Sequence, residues 1–370
     1  MYSLKNIVVV GSGGGGGVPL VQTLQKQINP DTHRIVVIER RDYYYAHWPA
    51  LIRAAVTDEG DLHERALILN SHAFDSTVQT IRSGVKQITD TDVIIESGEA
   101  IPYEHLVLAM GSNWTGPLNL PSSKEKAIEH FESFKSELST ADNTLIVGGG
   151  SVGIEYAGEI RHYHPEKKVT LIHGGEELMN DTYVTKFRQS VLDAMISTGV
   201  EVILEDRIPP QATLIDGFMT SENGRRIPAD LVILAAGGRP NTSIVRAFDP
   251  SAVTESGTVL VTPELQVNLS SGARNVWAIG DIIEWPEQKM VLKASSGHAP
   301  VLAKNIIASI WGSKPSPYGG KTEMIFVTIG PNGGRGLVPL FGGVVVGDWI
   351  ISTMKSSGLF ADRTRTALGC

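Results

Sequence analysis

The chain has 370 residues, which is enough for two or three domains with a buried core. A net charge of −8 and a pI near 5.7 argue against a nucleic-acid-binding protein, because no basic field attracts a polyanion. Cys370 is the only cysteine, so an intrachain disulfide and a Cys-x-x-Cys redox pair are excluded. This cysteine usage suits a reducing, intracellular compartment.

Targeting signals are also missing from the sequence. The first residues, MYSLKNIVVV, show no basic region followed by an apolar run of signal length, and Tyr2 replaces the glycine needed for myristoylation. No window reaches about 18 uninterrupted apolar residues, so no transmembrane helix is predicted. We expect a cytoplasmic protein, with peripheral membrane contact left open. No metal site is predicted, and the oligomeric state is not indicated.

The first nucleotide-binding signal is the stretch VVVGSGGGGGVPLVQTL, which begins at Val8. The apolar run predicts a buried parallel strand, and a helical apolar pattern follows the glycines. In G-x-G-x-x-G spacing, Gly11 allows the tight turn, Gly13 lets the backbone approach a pyrophosphate, and Gly16 permits close helix–strand packing. The helix N-terminus adds unpaired N–H groups and a positive dipole end. The predicted buried helical positions are Val18, Val21 and Leu24.

An acid at the end of the next strand completes this signal. The strand RIVVIER carries Glu39 about twenty residues beyond the glycines, where its carboxylate can accept from ribose hydroxyls. We expect Gly13→Val to abolish cofactor binding and Gly14→Ala to be tolerated, and Gly17 has no assigned role. The predicted binding set also includes Gly14, Gly15 and Arg40.

A second stretch, LIVGGGSVGIEYAGEI, begins at Leu145 and repeats this pattern. The strand after it, KKVTLIH, ends at His173, where an NADH site usually has an acid and an NADPH site has a nearby arginine. Glu176 or Glu177 from the following loop could replace the acid, so the sequence leaves the choice of nucleotide open. The predicted binding residues of this turn are Gly148, Gly150, Ser151 and Gly153, together with His173.

Two carboxylates lie one helical turn apart after the second glycine turn. Glu155 follows the last glycine by two residues and is predicted to touch the nicotinamide end of the cofactor. Glu159 is interpreted as a solvated carboxylate on a surface helix.

Three further segments each place a small-residue turn after an apolar strand. They are IPYEHLVLAMGS with Ala109 and Gly111, IPADLVILAAGGRPN with Gly237, and NVWAIGDIIEWP with Gly280 and Asp281. Asp281 is predicted to bind flavin ribityl hydroxyls; the alternative is a cap on the following turn. Two dinucleotide turns in one chain indicate hydride transfer from a nicotinamide to a flavin.

The order of these motifs resembles the two-dinucleotide-binding-domain flavoproteins, and within them the apoptosis-inducing-factor-like and ferroptosis-suppressor branch, which is related to type II NADH dehydrogenases. The segments EYAGEIRHYHPEKKVTLIHGGEEL and VWAIGDIIEWPEQKMVLKASSGHA carry the resemblance. It implies bound FAD, reduced by NADH or NADPH, that passes electrons to a quinone such as ubiquinone. The segment before His298 is one residue longer than in that branch.

The resemblance also implies roles for residues outside the glycine turns. Arg53, expected at a helix start, would pair with the pyrophosphate, and Val85 would lie near the adenine. His298 would stand near the flavin ring; the alternative is a histidine bonded to backbone. The catalytic candidates are His298, Glu155 and Lys355. Lys355 and Phe360 would border the acceptor pocket, although a solvated surface lysine is the commoner reading for Lys355.

The missing cysteines restrict the electron acceptor. Disulfide, sulfide and coenzyme A disulfide reductases of this fold need a thiolate, and Cys370 is the only candidate. The acceptor must therefore take electrons from the flavin itself. The leading function is an FAD-dependent NAD(P)H:quinone oxidoreductase. The alternatives are a flavoenzyme acting on another small molecule or on a protein partner, and a signalling flavoprotein of the apoptosis-inducing-factor type.

The predicted fold class is α/β, with two Rossmann-like domains of glutathione-reductase type and a small β-rich C-terminal domain. An FAD domain is expected at residues 1–115 and 240–310, interrupted by an NAD(P) domain at 116–239. Residues 311–370 would form the C-terminal domain, with a hairpin near PNGG.

Overall fold

The protein is described by a computed structural model that covers residues 4–45 and 47–370. The strands are β1 (Lys5–Val10), β2 (His33–Glu39), β3 (Tyr43–Tyr45), β4 (Leu67–Leu69), β5 (Gln79–Arg82), β6 (Val85–Ile88), β7 (Asp92–Ile95), β8 (Ala100–Pro102), β9 (His105–Leu108), β10 (Ser112–Asn113), β11 (Asn143–Val147), β12 (Lys168–Ile172), β13 (Glu201–Ile203), β14 (Phe218–Thr220), β15 (Arg226–Pro228), β16 (Leu231–Leu234), β17 (Arg239–Pro240), β18 (Val259–Leu260), β19 (Val276–Ala278), β20 (Ile283–Glu284), β21 (Ile325–Thr328), β22 (Gly334–Val338) and β23 (Val344–Val346).

The α-helices connect these strands. They are α1 (Gly17–Leu24), α2 (Trp48–Val56), α3 (Leu62–Arg65), α4 (Lys124–Thr140), α5 (Ser151–Tyr163), α6 (Thr185–Ser197), α7 (Ser243–Phe248), α8 (Val291–Lys293), α9 (Ala299–Ile310), α10 (Asp348–Ile351) and α11 (Ala361–Ala367). Two five-residue π-helical segments, Ala294–His298 and Ser352–Ser356, lie between α8 and α9 and after α10.

The first parallel sheet has the strand order β19-β9-β1-β2-β5. Its central strand β1 is apolar because both faces are covered, and Ile7, Val8 and Val9 are fully buried. The helix α1 packs beside α9 and buries Val18 and Val21, as the apolar periodicity predicts. Since β19 returns to this sheet after residue 275, the sheet is assembled from two separate parts of the chain.

The second parallel sheet has the order β13-β12-β11-β16 and lies within the intervening segment. A three-stranded antiparallel sheet, β21-β22-β23, follows near the C-terminus, with the PNGG turn between β21 and β22. The predicted α/β class with two Rossmann-like sheets is confirmed, while the domain limits stay predictions. None of the helices described is both long and apolar enough to cross a membrane.

A buried ion pair joins α2, which follows β3 in the chain, to α5. The Nε and Nη2 atoms of Arg53 donate to the two carboxylate oxygens of Glu159, each at 2.8 Å. Arg53 is 3% exposed and Glu159 is 1% exposed. The interpretation of Glu159 as a solvated surface carboxylate is therefore wrong. Helix α5 is covered by α2 on this side, so a carboxylate here needs a cation.

The pair also changes the assignment of Arg53. This residue lies in the last turn of α2 rather than at a helix start, and two of its donor nitrogens are engaged by Glu159. Burial raises the pKa of Glu159, and the guanidinium acts in the opposite direction. A contact between Arg53 and a pyrophosphate stays a prediction that has to compete with this pair.

Replacing Arg53 by methionine is expected to destabilise the protein by about 3–5 kcal/mol, because Glu159 is left buried without its cation. The double variant R53M/E159M is expected to recover most of that loss, since it leaves no uncompensated charge. Thermal denaturation of the wild type, R53M, E159M and the double variant measures the effect. A double variant whose melting temperature falls by the sum of the two single changes would contradict this account.

Candidate functional site

The first glycine turn lies between β1 and α1, at the carboxyl edge of the first sheet. Gly11 has a φ of +94°, and a Cβ atom there would lie 2.5 Å from the carbonyl oxygen of Ala109. A Cβ atom on Gly13 would meet nothing within 4 Å. The turn is therefore closed on its strand side and open at Gly13, which leaves the backbone accessible to a ligand.

The third glycine of this turn is Gly17, not Gly16. A Cβ atom on Gly17 would lie 2.1 Å from the Gly11 carbonyl oxygen, while Gly16 borders only the Ile279 side chain. In the second turn, a Cβ atom on Gly153 would lie 2.0 Å from the Gly148 carbonyl oxygen. The first turn thus has one more residue than G-x-G-x-x-G, and the packing role assigned to Gly16 belongs to Gly17.

The neighbouring Gly14 is also constrained. A Cβ atom there would lie 2.3 Å from the hydroxyl oxygen of Tyr44, whose side chain is buried. The expectation that Gly14→Ala is tolerated is therefore contradicted, because the tyrosine ring would have to move. A Cβ atom on Gly15 would make an ordinary van der Waals contact, 3.5 Å from the Ala294 Cβ atom.

Glu39 lies against the first turn at the end of β2. Its Oε2 atom accepts from the Ser12 backbone N–H at 2.7 Å and from the Ser12 hydroxyl at 3.2 Å. The Oε1 atom accepts from the Arg41 backbone N–H at 2.9 Å. The structure thus places the acid beside the glycines, where the motif expects a ribose-binding carboxylate.

The cation at this site is Arg41, which the sequence did not indicate. Arg40, which was predicted, is exposed. Burial lowers the pKa of Arg41, but Tyr45, Tyr43 and Glu39 outweigh burial and raise it. Its Nε atom is buried and has no hydrogen-bond partner among the described residues. No local pattern in the sequence separates the two arginines.

Asp281 approaches the same edge from β19. Its Oδ2 atom accepts from the Ser112 hydroxyl at 3.0 Å, and its charge acts on Tyr45. Gly111 and Gly280 both have positive φ, and Gly111 has no neighbour that a Cβ would meet. A carboxylate, a half-buried guanidinium and an open glycine backbone therefore converge on one edge. This donor and acceptor set fits the ribose and pyrophosphate parts of a dinucleotide.

His298 ends the first π-helical segment, consistent with the extra residue noted in this part of the sequence. Its Nδ1 atom accepts from the Gly280 backbone N–H at 3.1 Å, and its Nε2 atom donates to Glu287 at 2.9 Å. Both ring nitrogens are engaged, so the structure makes His298 a positioning residue for the Gly280 turn. The contact with a flavin ring stays a prediction.

The second glycine turn repeats the geometry of the first. Gly148 has a φ of +119°, and a Cβ atom there would lie 2.5 Å from the Ala235 carbonyl oxygen. A Cβ atom on Gly150 would meet nothing within 4 Å. Ser151 begins α5. Gly237, with a φ of +94°, also has nothing within 4 Å of an added Cβ. This turn therefore also leaves its backbone open to a dinucleotide.

Two of the catalytic candidates, Glu155 on α5 and Lys355, form an ion pair. The Oε1 atom of Glu155 accepts from the Lys355 ammonium at 3.0 Å and from the Thr328 backbone N–H at 3.2 Å. Lys355 also donates to the Phe326 carbonyl oxygen at 2.5 Å. Lys355 belongs to the second π-helical segment. It is mostly buried, with 14% side-chain exposure, so the solvated-lysine reading is wrong.

Two further side chains lie beside this ion pair. Burial and the Lys355 charge lower the pKa of His47 to about 4. The His47 ring lies 5.4 Å from the Phe360 ring, edge to face. We name Glu155, Lys355, His47 and Phe360 the α5 cluster.

Val85 is half-buried at the start of β6 and packs against the first core. Its position next to an adenine stays a prediction.

The family model for pyridine nucleotide-disulphide oxidoreductases matches residues 5–298. The chain belongs to this family. Its cofactors are accordingly FAD and NAD(P)H, which agrees with the two open glycine turns. The protein is an oxidoreductase, and the resemblance noted from the motifs is confirmed.

Relatives of this family match nearly the full chain. The FAD-dependent oxidoreductase FVFD30 of Flammulina velutipes is 33% identical over 85% of this chain and 98% of its own length. Human ferroptosis suppressor protein 1 is 30% identical over 96% of this chain and 93% of its own. The apoptosis-inducing factor homolog B of Dictyostelium discoideum is 30% identical over 98% and 97%.

Solved structures share the fold at low identity. The sulfide:quinone oxidoreductase of Aquifex aeolicus has a TM-score of 0.78 at 15% identity and covers 98% of this chain and 91% of its own. The ferredoxin reductase of Rhodopseudomonas palustris has a TM-score of 0.70 at 18% identity, covering 90% and 82%.

Gly17→Ala is expected to reduce the FAD content of the purified protein strongly, because the new Cβ would displace the start of α1 from the turn. Gly15→Ala is the matched control and is expected to retain FAD, since its Cβ has ordinary space. The ratio of flavin to protein absorbance measures both. Full FAD content in G17A with loss in G15A would show that the register of the turn is wrong.

Acidification is expected to destabilise the protein and release FAD. Burial lowers the pKa of His298, although the Glu287 and Asp281 carboxylates oppose it and Lys293 assists it. A histidine whose pKa is lowered in the folded state contributes stability at any pH above its unfolded pKa, which is about 6.5. This contribution is lost as the pH falls below that value. Burial lowers the pKa of His47, His105 and His173 in the same direction.

The measurement is the melting temperature and FAD retention between about pH 8 and pH 5. Protonation of His298 at Nδ1 would break its bond to Gly280, so H298Q is expected to hold less FAD at neutral pH. The same variant should also show a weaker pH dependence of FAD release than the wild type. Unchanged behaviour of H298Q in both respects would remove the positioning role.

Proposed function

We propose that the protein is an NAD(P)H:quinone oxidoreductase. When bound, FAD supplies the hydride-accepting and electron-donating chemistry. The observation that carries the proposal is the α5 cluster: a lysine, a histidine and an aromatic ring meet there without a cysteine. The sole cysteine, Cys370, is exposed at the last residue. A thiol-mediated reaction is thereby disfavoured, and an acceptor that takes electrons directly is favoured.

Lys355 is suited to bind an acceptor oxygen. An ammonium group has three donors, and two of them have partners among the described residues, Glu155 and the Phe326 carbonyl. The third is available to a carbonyl oxygen that gains negative charge during reduction. Glu155 holds the ammonium in place and compensates its burial. The nearby Phe360 ring offers an apolar contact for a flat quinone ring.

The sulfide:quinone oxidoreductase shares the fold over almost the whole chain. At 15% identity this likeness concerns the fold alone, so the acceptor is proposed from the α5 cluster. That enzyme's sulfide substrate is not part of our proposal, because a single terminal cysteine does not provide the required thiol pair.

The test is stopped-flow absorbance of the FAD-loaded protein, first mixed with NADH or NADPH and then with a short-chain ubiquinone. Lys355→Met alone would leave the buried Glu155 without its cation. It is therefore compared in a Glu155→Gln background, where K355M is expected to keep its FAD and its reaction with the nicotinamide. Its reoxidation by quinone should slow on the order of 100-fold, as when one charge-stabilising donor is lost. Lys355→Arg is the control that retains the charge.

Each alternative acceptor gives a different result. Reduction by NAD(P)H without reoxidation by quinone would contradict the proposal and point to a protein partner or another small molecule. Equal quinone rates for E155Q and the double variant E155Q/K355M would remove Lys355 from the acceptor site. Retarded DNA mobility at physiological salt would favour the signalling alternative, against the acidic net charge.

A further inference from the structure

The second glycine turn differs from the first in the side chain that closes it. Glu39 accepts the backbone N–H of Ser12, the residue after the first glycine, at 2.7 Å. His173 occupies the corresponding place after β12, and its Nδ1 atom accepts the backbone N–H of Gly149 at 3.2 Å. The two turns thus use the same hydrogen bond, but the second has an imidazole where the first has a carboxylate.

The bond to Gly149 determines which imidazole nitrogen carries the proton. Because Nδ1 is the acceptor, the neutral ring has its proton on Nε2. The Nε2 atom lies beside Gly175, where an added Cβ would be 3.0 Å away. His173 therefore presents a donor to the loop at the end of β12, and a carboxylate in its place would present only acceptors.

Arg207 lies across from this loop. The backbone N–H of Asp206 donates to the His173 carbonyl oxygen, and that of Glu205 donates to the Gly175 carbonyl oxygen. These bonds fix the two segments side by side. An added Cβ on Gly174 would lie 2.2 Å from the Arg207 Nε atom. The guanidinium therefore covers the loop next to the histidine.

The acids near this loop do not neutralise Arg207. Glu177 pairs with Arg188 at 2.7 Å, so it is engaged elsewhere. No carboxylate of residues 4–45 and 47–370 lies within ion-pair distance of Arg207, although Glu176 is exposed nearby in sequence. The end of β12 therefore has a positive side chain and a donor, without the acid that binds a ribose 2′-hydroxyl.

We infer that His173 and Arg207 form a binding site for the 2′-phosphate of NADPH, and that the protein prefers NADPH to NADH. An arginine at this place binds the phosphate through charge-assisted, bidentate hydrogen bonds. His173, in place of an acid, puts no negative charge beside the phosphate. This inference rests on the proposed function only in that the second turn binds the nicotinamide nucleotide.

The test is isothermal titration calorimetry of the FAD-loaded protein with 2′,5′-ADP and with 5′-ADP, which needs no electron acceptor. The wild type is expected to bind 2′,5′-ADP about tenfold more tightly or better. Arg207→Ala is expected to remove most of this preference and to leave 5′-ADP binding unchanged. Lys168→Ala is the control for charge, because Lys168 is exposed at the opposite end of β12.

His173→Glu is expected to reverse the preference toward 5′-ADP. Glu39 shows that a glutamate at this place can accept the same backbone N–H, so the turn is expected to stay folded, and FAD content and melting temperature verify this. Equal binding of the two nucleotides by the wild type, or an unchanged preference in R207A, would overturn the inference. Binding of neither nucleotide would instead contradict the proposed nucleotide site itself.

Discussion

The positions of α2 and the C-terminal segment depend on the buried carboxylates of α5. Glu159 is neutralised by Arg53 from α2, and Glu155 is neutralised by Lys355 from the C-terminal segment. Between them, Gly158 approaches the backbone so closely that an added Cβ would lie 2.7 Å from the Ile329 Cα atom. Neither acid could be buried without its cation, so one helix fixes the positions of three parts of the chain.

The same helix also positions the second glycine turn. Its N-terminus follows Gly150 directly, so the N–H groups predicted to bind a dinucleotide belong to the element that carries both ion pairs. A movement of α5 would therefore displace the nucleotide turn and the Lys355 ammonium together. This coupling explains why the nicotinamide site and the proposed acceptor site can be held in register without a further structural element.

Local features of the sequence were sufficient for the fold and for most of the turn residues. Strand, glycine spacing and apolar periodicity identified β1, α1 and their counterparts, because each depends only on neighbouring residues. The partners of Glu159 and Glu155 lie 106 and 200 residues away, and no local pattern indicates such pairs. Gly17 was missed for another reason: six glycines in seven positions fit the motif in more than one register, and only the approach of the Gly11 carbonyl decides between them.

The two glycine turns have one backbone arrangement and differ in the side chain that bonds to it. In both, the first glycine has positive φ, the second faces open space, and the residue between them donates its N–H to the side chain that ends the next strand. This backbone N–H requires only a hydrogen-bond acceptor. A carboxylate accepts it in the first turn and a neutral imidazole accepts it in the second. The charge at that position can therefore change with little effect on the turn, and in our proposal His173 and Arg207 together set the nucleotide preference.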